Sequence, residues 1–164
     1  MTVFEKILES NTKVRFHDCD PFNHLHNSRY IDYIMAARSE QLEAHYQFDV
    51  YKLAREQGVS WVAAQAQVSY LQPALLMEEV TIQTRLFSYT EKSLLAEGIM
   101  WNRNKTAAKA LLWIKLVHCN IKTGKSHVHS DALLEFFGRI AYPLPAGAGF
   151  GERAKSLKLH TNPS

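Results

Sequence analysis

From Thr12 to His17 apolar Val14 and Phe16 alternate with polar Lys13, Arg15 and His17, the two-residue period of a half-buried strand. The period then changes. Between Ser28 and about Tyr46 the residues Tyr30, Ile31, Tyr33, Ile34, Ala37, Leu42 and Tyr46 recur at helical spacing, and Met35 and Ala36 widen the apolar stripe, which predicts a long, largely buried helix. Val50 to Gln57 predicts a second, short helix ending at Gly58, a residue suited to a left-handed exit. Alternation returns in Ser60 to Leu71, where Val62, Ala64, Ala66, Val68 and Tyr70 share one face before Pro73, and again in Glu79 to Phe87. Ser93 to Trp101 and Thr106 to Ile121 predict two more strands, joined by polar Asn102-Arg103-Asn104-Lys105 as antiparallel neighbours are. Asp131 to Ile140 predicts a last helix, after which Pro143, Pro145 and three glycines predict a mobile, linker-like tail.

Strand, long helix, four successive strands and terminal helix make an α+β order, with helices on one side of a mostly antiparallel sheet of about five strands. The 164 residues fit one domain at 1–141, followed by the tail at 142–164. Nineteen Lys and Arg against sixteen Asp and Glu give +3, scattered rather than gathered, so the charge pattern favours a small anionic ligand over nucleic acid. Cys19 and Cys119 lie far apart without metal-ligand spacing, and Met-Thr-Val-Phe-Glu-Lys lacks the regions of a signal peptide, so a reducing cytoplasm is expected. The most apolar stretch, Ala107 to Val117, contains Lys109 and Lys115 and falls short of the ~20 apolar residues a membrane span needs. No membrane insertion is expected.

Chemistry concentrates in Asp18-Cys19-Asp20-Pro21-Phe22-Asn23-His24-Leu25-His26-Asn27, where carboxylate, imidazole and amide groups share one turn just before the long helix. A helix start presents unpaired N–H groups and the positive end of the helix dipole, so a backbone N–H at Asn27 can hold a developing oxyanion while the Asn27 side chain caps the helix. His17, Cys19, His24 and His26 raise the possibility of a metal, but the alternation does not give zinc a fixed ligand geometry, and no metal is expected. The segment Ala146-Gly147-Ala148-Gly149-Phe150-Gly151 has no strand leading into it and is not read as a dinucleotide loop.

The turn Asp20-Pro21-Phe22-Asn23-His24-Leu25-His26-Asn27, followed by Arg29-Tyr30-Ile31-Asp32-Tyr33 and Ala37-Arg38, resembles the signature of hotdog-fold acyl-CoA thioesterases related to 4-hydroxybenzoyl-CoA thioesterase. The element order resembles that family over about Lys13 to Ile140. The resemblance implies an antiparallel sheet wrapped around one buried helix, and hydrolysis of an acyl-CoA thioester to free acid and coenzyme A. It implies Asp20 as general base or nucleophile, with Asp18 the lesser candidate, the Asn27 backbone as oxyanion donor, and His24 as an orienting or carbonyl-binding group. Lys92-Ser93 resembles a basic-serine pair that contacts the nucleotide part of coenzyme A; Arg103, Lys105 and Lys109 are weaker candidates. Coenzyme A enters as part of the substrate, and no further cofactor is implied. Family members form homodimers or homotetramers with sites between subunits. A branch with a catalytic glutamate on the helix is not matched, since the corresponding residues read Ile31-Asp32-Tyr33-Ile34-Met35. Two alternatives stay open: an acyl-carrier-protein thioesterase, and a non-catalytic hotdog module that binds acyl thioesters.

Overall fold

The computed structural model describes residues 3–159. The leader reading begins and the predicted tail ends outside these residues, at 1–2 and 160–164. The elements are β1 (Leu8–Lys13), α1 (Tyr30–Tyr46), α2 (Val50–Gln57), β2 (Val59–Tyr70), β3 (Glu79–Tyr89), β4 (Ser93–Asn102), β5 (Ala108–Asn120), α3 (Asp131–Ile140) and α4 (Phe150–Leu159). All five strands form one antiparallel sheet in the order β1-β3-β4-β5-β2, leaving β1 and β2 at the edges. Wrapped around α1, this sheet is the hotdog arrangement.

Helix α1 buries Tyr30, Ile34, Ala37 and Gln41, a face repeating every three to four residues, against Val80, Ile82, Met100, Leu112 and Ile114 of the sheet. Gly98 sets how closely they approach. A Cβ at that position would stand 2.2 Å from Ile34 Cγ2, so only glycine lets the helix seat here. The two helices that follow are capped by side chains their sequences supply. Asp49 Oδ1 accepts from the backbone N–H groups of Tyr51 and Lys52 at 3.0 and 3.1 Å, and α2 leaves through Gly58 at φ 67°. Ser130 Oγ accepts from Leu133 N–H at 3.2 Å, and α3 then closes one end of the core with Phe137 and Ile140.

The opposite face of the sheet corrects the sequence reading. Residues 142–164 were expected to be a flexible tail, but Phe150–Leu159 is helical and lies over Ile99, Ala108 and Leu111, with Leu157 buried among them. Glu97 ties it down: its carboxylate, 2% exposed, accepts from Arg153 Nη2 at 3.0 Å, Arg85 Nη2 at 3.2 Å and Trp113 Nε1 at 2.8 Å. A buried carboxylate held by two guanidiniums and an indole is fully satisfied, so this ionic centre is compatible with a packed interior. Helices therefore cover both faces, rather than one.

Candidate active site

The polar turn folds back on itself between β1 and α1. Asp20 N–H donates to His24 O at 2.8 Å, Asn23 N–H donates to Asp20 O at 3.0 Å, and Asn23 takes a left-handed φ of 63° that its short amide side chain tolerates. Two further bonds pin the turn to the segment after β2: Leu25 N–H to Ala74 O at 2.8 Å and Leu76 N–H to Asn23 O at 2.9 Å. Asp20 Oδ1 accepts from Phe22 N–H at 2.9 Å and His24 N–H at 3.1 Å, which fixes the carboxylate in place. Its second oxygen has no protein donor among the described residues.

Asp20, His24 and Asn27 line one pocket of about 220 Å³, together with Tyr30, Tyr70 and Pro73. Tyr30, buried, accepts from Ala74 N–H at 3.0 Å through its hydroxyl, and burial pushes that phenol above its ordinary range. Tyr70 donates its hydroxyl to Asn27 O at 3.0 Å and meets the Tyr30 ring edge-on at 5.3 Å. Sequence periodicity assigned Tyr70 only to a strand face. Its position at the last residue of β2, just before Pro73, was the available signal for a residue at the mouth of a site.

One expectation about the helix start is corrected. A 3-10 turn at Asn27–Arg29 precedes α1, so the cap falls one residue earlier: His26, not Asn27, accepts from Ser28 N–H through Nδ1 at 3.2 Å. Asn27 is left as the first residue of the turn, and among the described residues its N–H donates to no protein atom. Asp20, with one carboxylate oxygen free of protein donors, and Asn27, with its N–H free of protein acceptors among the described residues, thus both line this pocket.

Asp18 is engaged elsewhere. Tyr33 donates its hydroxyl to Asp18 Oδ2 at 2.5 Å, and Arg29 Nε lies 3.7 Å from Oδ1. Burial, then that carboxylate bond, raises the Tyr33 phenol. Cys19 is no rival nucleophile, since burial and the neighbouring Asp20 and Asp18 push its thiol up, away from the reactive thiolate. Among the described residues no three His, Cys, Asp or Glu side chains are grouped to hold a metal, and no helix is long and apolar enough to cross a membrane.

Lys92 and Ser93 lie away from this pocket within one chain. Ser93 pairs with Val117 in the β4–β5 ladder, whereas the pocket sits at the Tyr70–Ala110 end, level with Met100, seven residues along β4 or roughly 23 Å at ~3.3 Å per residue. Lys92 is exposed, without an ion-pair partner among the described residues, and the Ser93 hydroxyl pairs with Thr90 Oγ1 at 2.7 Å. The three weaker cations are already paired: Arg103 with Glu79 at 3.4 Å, Lys105 with Glu9 at 2.6 Å and Lys109 with Glu78 at 3.2 Å.

A hotdog sheet with this pocket at the head of its central helix defines a class, and residues 14–137 match the model of the thioesterase-like superfamily; the chain belongs to that family. It is 24% identical over 119 residues to the long-chain acyl-CoA thioesterase FadM of Escherichia coli strain K12, covering 73% of this chain and 88% of that protein. Among solved structures it is similar to the YbaW probable thioesterase of Escherichia coli, with a TM-score of 0.70 at 23% identity over 82% of this chain and 99% of that one. It is also similar to the hypothetical protein SAV2348 of Staphylococcus aureus in complex with CoA, with a TM-score of 0.76 at 12% identity over 93% and 95% of the two chains.

Proposed function

We propose that this protein hydrolyses acyl-CoA thioesters, with Asp20 driving attack on the carbonyl and the Asn27 N–H receiving the oxyanion. The observation that carries the reading is that one pocket is lined both by Asp20, with a carboxylate oxygen that takes no protein donor, and by Asn27, with a helix-start N–H that meets no protein acceptor among the described residues. In the general-base route Asp20 removes a proton from water as its oxygen bonds to the thioester carbon. The tetrahedral intermediate then collapses, the carbon–sulfur bond breaks, and the leaving thiolate takes the proton. In the nucleophilic route the Asp20 oxygen attacks instead, the carbon–sulfur bond breaks to release the thiolate and leave an anhydride, and water then opens the anhydride to give the free acid and the Asp20 carboxylate, the released proton passing to the thiolate. His24, whose backbone N–H holds Asp20 Oδ1, orients the carboxylate through the turn. The names of the relatives favour coenzyme A over an acyl carrier protein.

The placement of Lys92 supports a homodimer, free or paired again into a tetramer, and the free Cys19 and Cys119 suit a reducing cytoplasm. Strand β2 is an unpaired edge whose middle residues 62–67 are all exposed, and such an edge is a template for another strand. Antiparallel pairing of two β2 strands sets the Tyr70 end of one protomer beside the Val59 end of its partner, so each Lys92-Ser93 turn approaches the opposite Asp20 pocket. A basic turn there suits the phosphates of coenzyme A.

Release of free thiol from a panel of short, long and aromatic acyl-CoAs tests the reading. Hydrolysis of at least one member is expected; binding without thiol release would make the protein an acyl-thioester binder. A single turnover in isotopically labelled water separates the routes. Product acid that first carries an unlabelled aspartate oxygen marks the anhydride, and product labelled from the first turnover marks the general base.

A further inference from the structure

A second cavity, of about 480 Å³, opens beside α1, and its wall is mostly apolar, with Asp32, Arg38, Ser39 and Ser60 among the polar residues that line it. Leu42, Phe48, Trp61, Leu94, Leu116 and Phe136 line it, and its volume falls within the ~300–1,000 Å³ of small-molecule sites. Arg38 also lines it. That guanidinium is buried, and among the described residues it has no carboxylate within ion-pair distance. Burial pushes it down to about 10, which still leaves it charged at neutral pH. Of its five N–H donors, one is used within the described chain, by Nη1 to Thr84 Oγ1 at 3.0 Å.

The pose of Arg38 is fixed by a chain of hydrogen bonds. Thr84 donates its hydroxyl to Gln41 Oε1 at 2.6 Å, so its lone pairs face Arg38, and Gln41 Nε2 is anchored on Ser10 Oγ at 2.8 Å and Ile82 O at 3.0 Å. The one carboxylate among the residues lining the cavity, Asp32, is 63% exposed and pairs with Arg29 at 3.3 Å, so it does not neutralise Arg38. A buried cation without a counter-charge is costly, and the cost falls when an anion with matching planar geometry enters. Contrast Arg85, equally buried, whose charge is met by Glu97.

We propose that this cavity receives the acyl part of the substrate and that Arg38, on its wall, binds an anionic group at the end of the chain, so that the preferred thioesters are those of ω-carboxyacyl chains. This rests on the thioesterase reading. Along α1, Arg38 stands eleven residues past Asn27, roughly 16 Å at 1.5 Å per residue, so the contact requires a chain of intermediate length rather than a short acyl group.

Matched straight-chain acyl-CoAs of about six to twelve carbons, ending either in methyl or in carboxylate, form the test, each read as kcat/KM by thiol release. At the best length the carboxylate-ended chain is expected to exceed its methyl-ended partner by at least ~10-fold, and Arg38→Met, which keeps the volume and removes the charge, is expected to bring that ratio to about one. Equal or lower rates for the carboxylate-ended chain at every length would overturn the proposal, as would an unchanged ratio in Arg38→Met. Calorimetry on the wild-type protein with the free α,ω-dicarboxylates and the corresponding monocarboxylates needs no variant. At least ~10-fold tighter binding of the dicarboxylate supports the anion contact even if no thioester is cleaved, and equal binding overturns it. Hydrolysis without carboxylate preference therefore refutes the cavity assignment alone, while dicarboxylate binding without hydrolysis refutes the thioesterase reading alone.

Discussion

Asp20 combines two tasks that separate substitutions can divide. Its Oδ1 holds the turn through Phe22 and His24 N–H groups, and its other oxygen is the one offered to the pocket. Asparagine retains an acceptor at Oδ1 and should keep the turn, whereas Asp20→Ala loses both bonds. We expect Asp20→Ala to be less stable than Asp20→Asn by about 1–2 kcal/mol in denaturant unfolding, the range for a lost capping acceptor. At this scale the sequence was informative where residue type alone limits conformation. Proline, asparagine and histidine between two periodic segments placed the turn and its acid. The cap moved from Asn27 to His26 because a 3-10 turn intervenes, and no spacing rule distinguishes that turn from a first helical turn. Tyr70 escaped notice because its bond to Asn27 O links residues that only the folded sheet brings together.

Among the elements, the strands and α1 were legible because apolar periods of two and of three to four persist over ten or more residues. Helix α4 was not, although Phe150, Ala154 and Leu157 have helical spacing. Gly147, Gly149 and Gly151 obscured that pattern, and the helix derives its order from the sheet face beneath it, with Arg153 on Glu97. The approach of α1 to β4 at Gly98 yields a second prediction. Gly98→Ala forces a methyl against Ile34 Cγ2, in a helix fixed on the sheet at several other points, and should destabilise the fold by about 1–3 kcal/mol. Ile34→Ala in the same chain should recover part of that loss, and additive losses in thermal or denaturant unfolding would contradict the contact.

For the whole molecule, stability should depend on pH through a histidine outside the site. His129 is buried; its Nδ1 contacts Thr90 O at 3.0 Å, and Trp61 donates its indole N–H to His129 Nε2 at 3.0 Å. Protonation would set a second donor against the indole, and burial, followed by nearby His118, lowers the affinity of this imidazole for a proton. The unfolded chain takes up the proton near pH ~6.5 and the folded chain only at lower pH. Stability is therefore full above about 6.5, falls as pH drops from there towards the lowered folded value, and levels off below it. Thermal unfolding between pH 7.5 and 5 should show a shallower decline in His129→Gln than in the wild type; parallel curves would remove His129 as the cause. The molecule also exceeds the matched family region, since α4 lies beyond residue 137 and covers the outer sheet face. Part of that face is thereby covered, while the β2 edge is left open.

The most direct measurement is single-turnover thiol release from an acyl-CoA by the wild-type protein and by Asp20→Asn, with circular dichroism and unfolding curves taken on both. A folded variant of unchanged stability with hydrolysis reduced by ~10²- to 10⁴-fold is the predicted result, the range for a lost general base. A folded Asp20→Asn that cleaves the thioester at the wild-type rate would contradict the account.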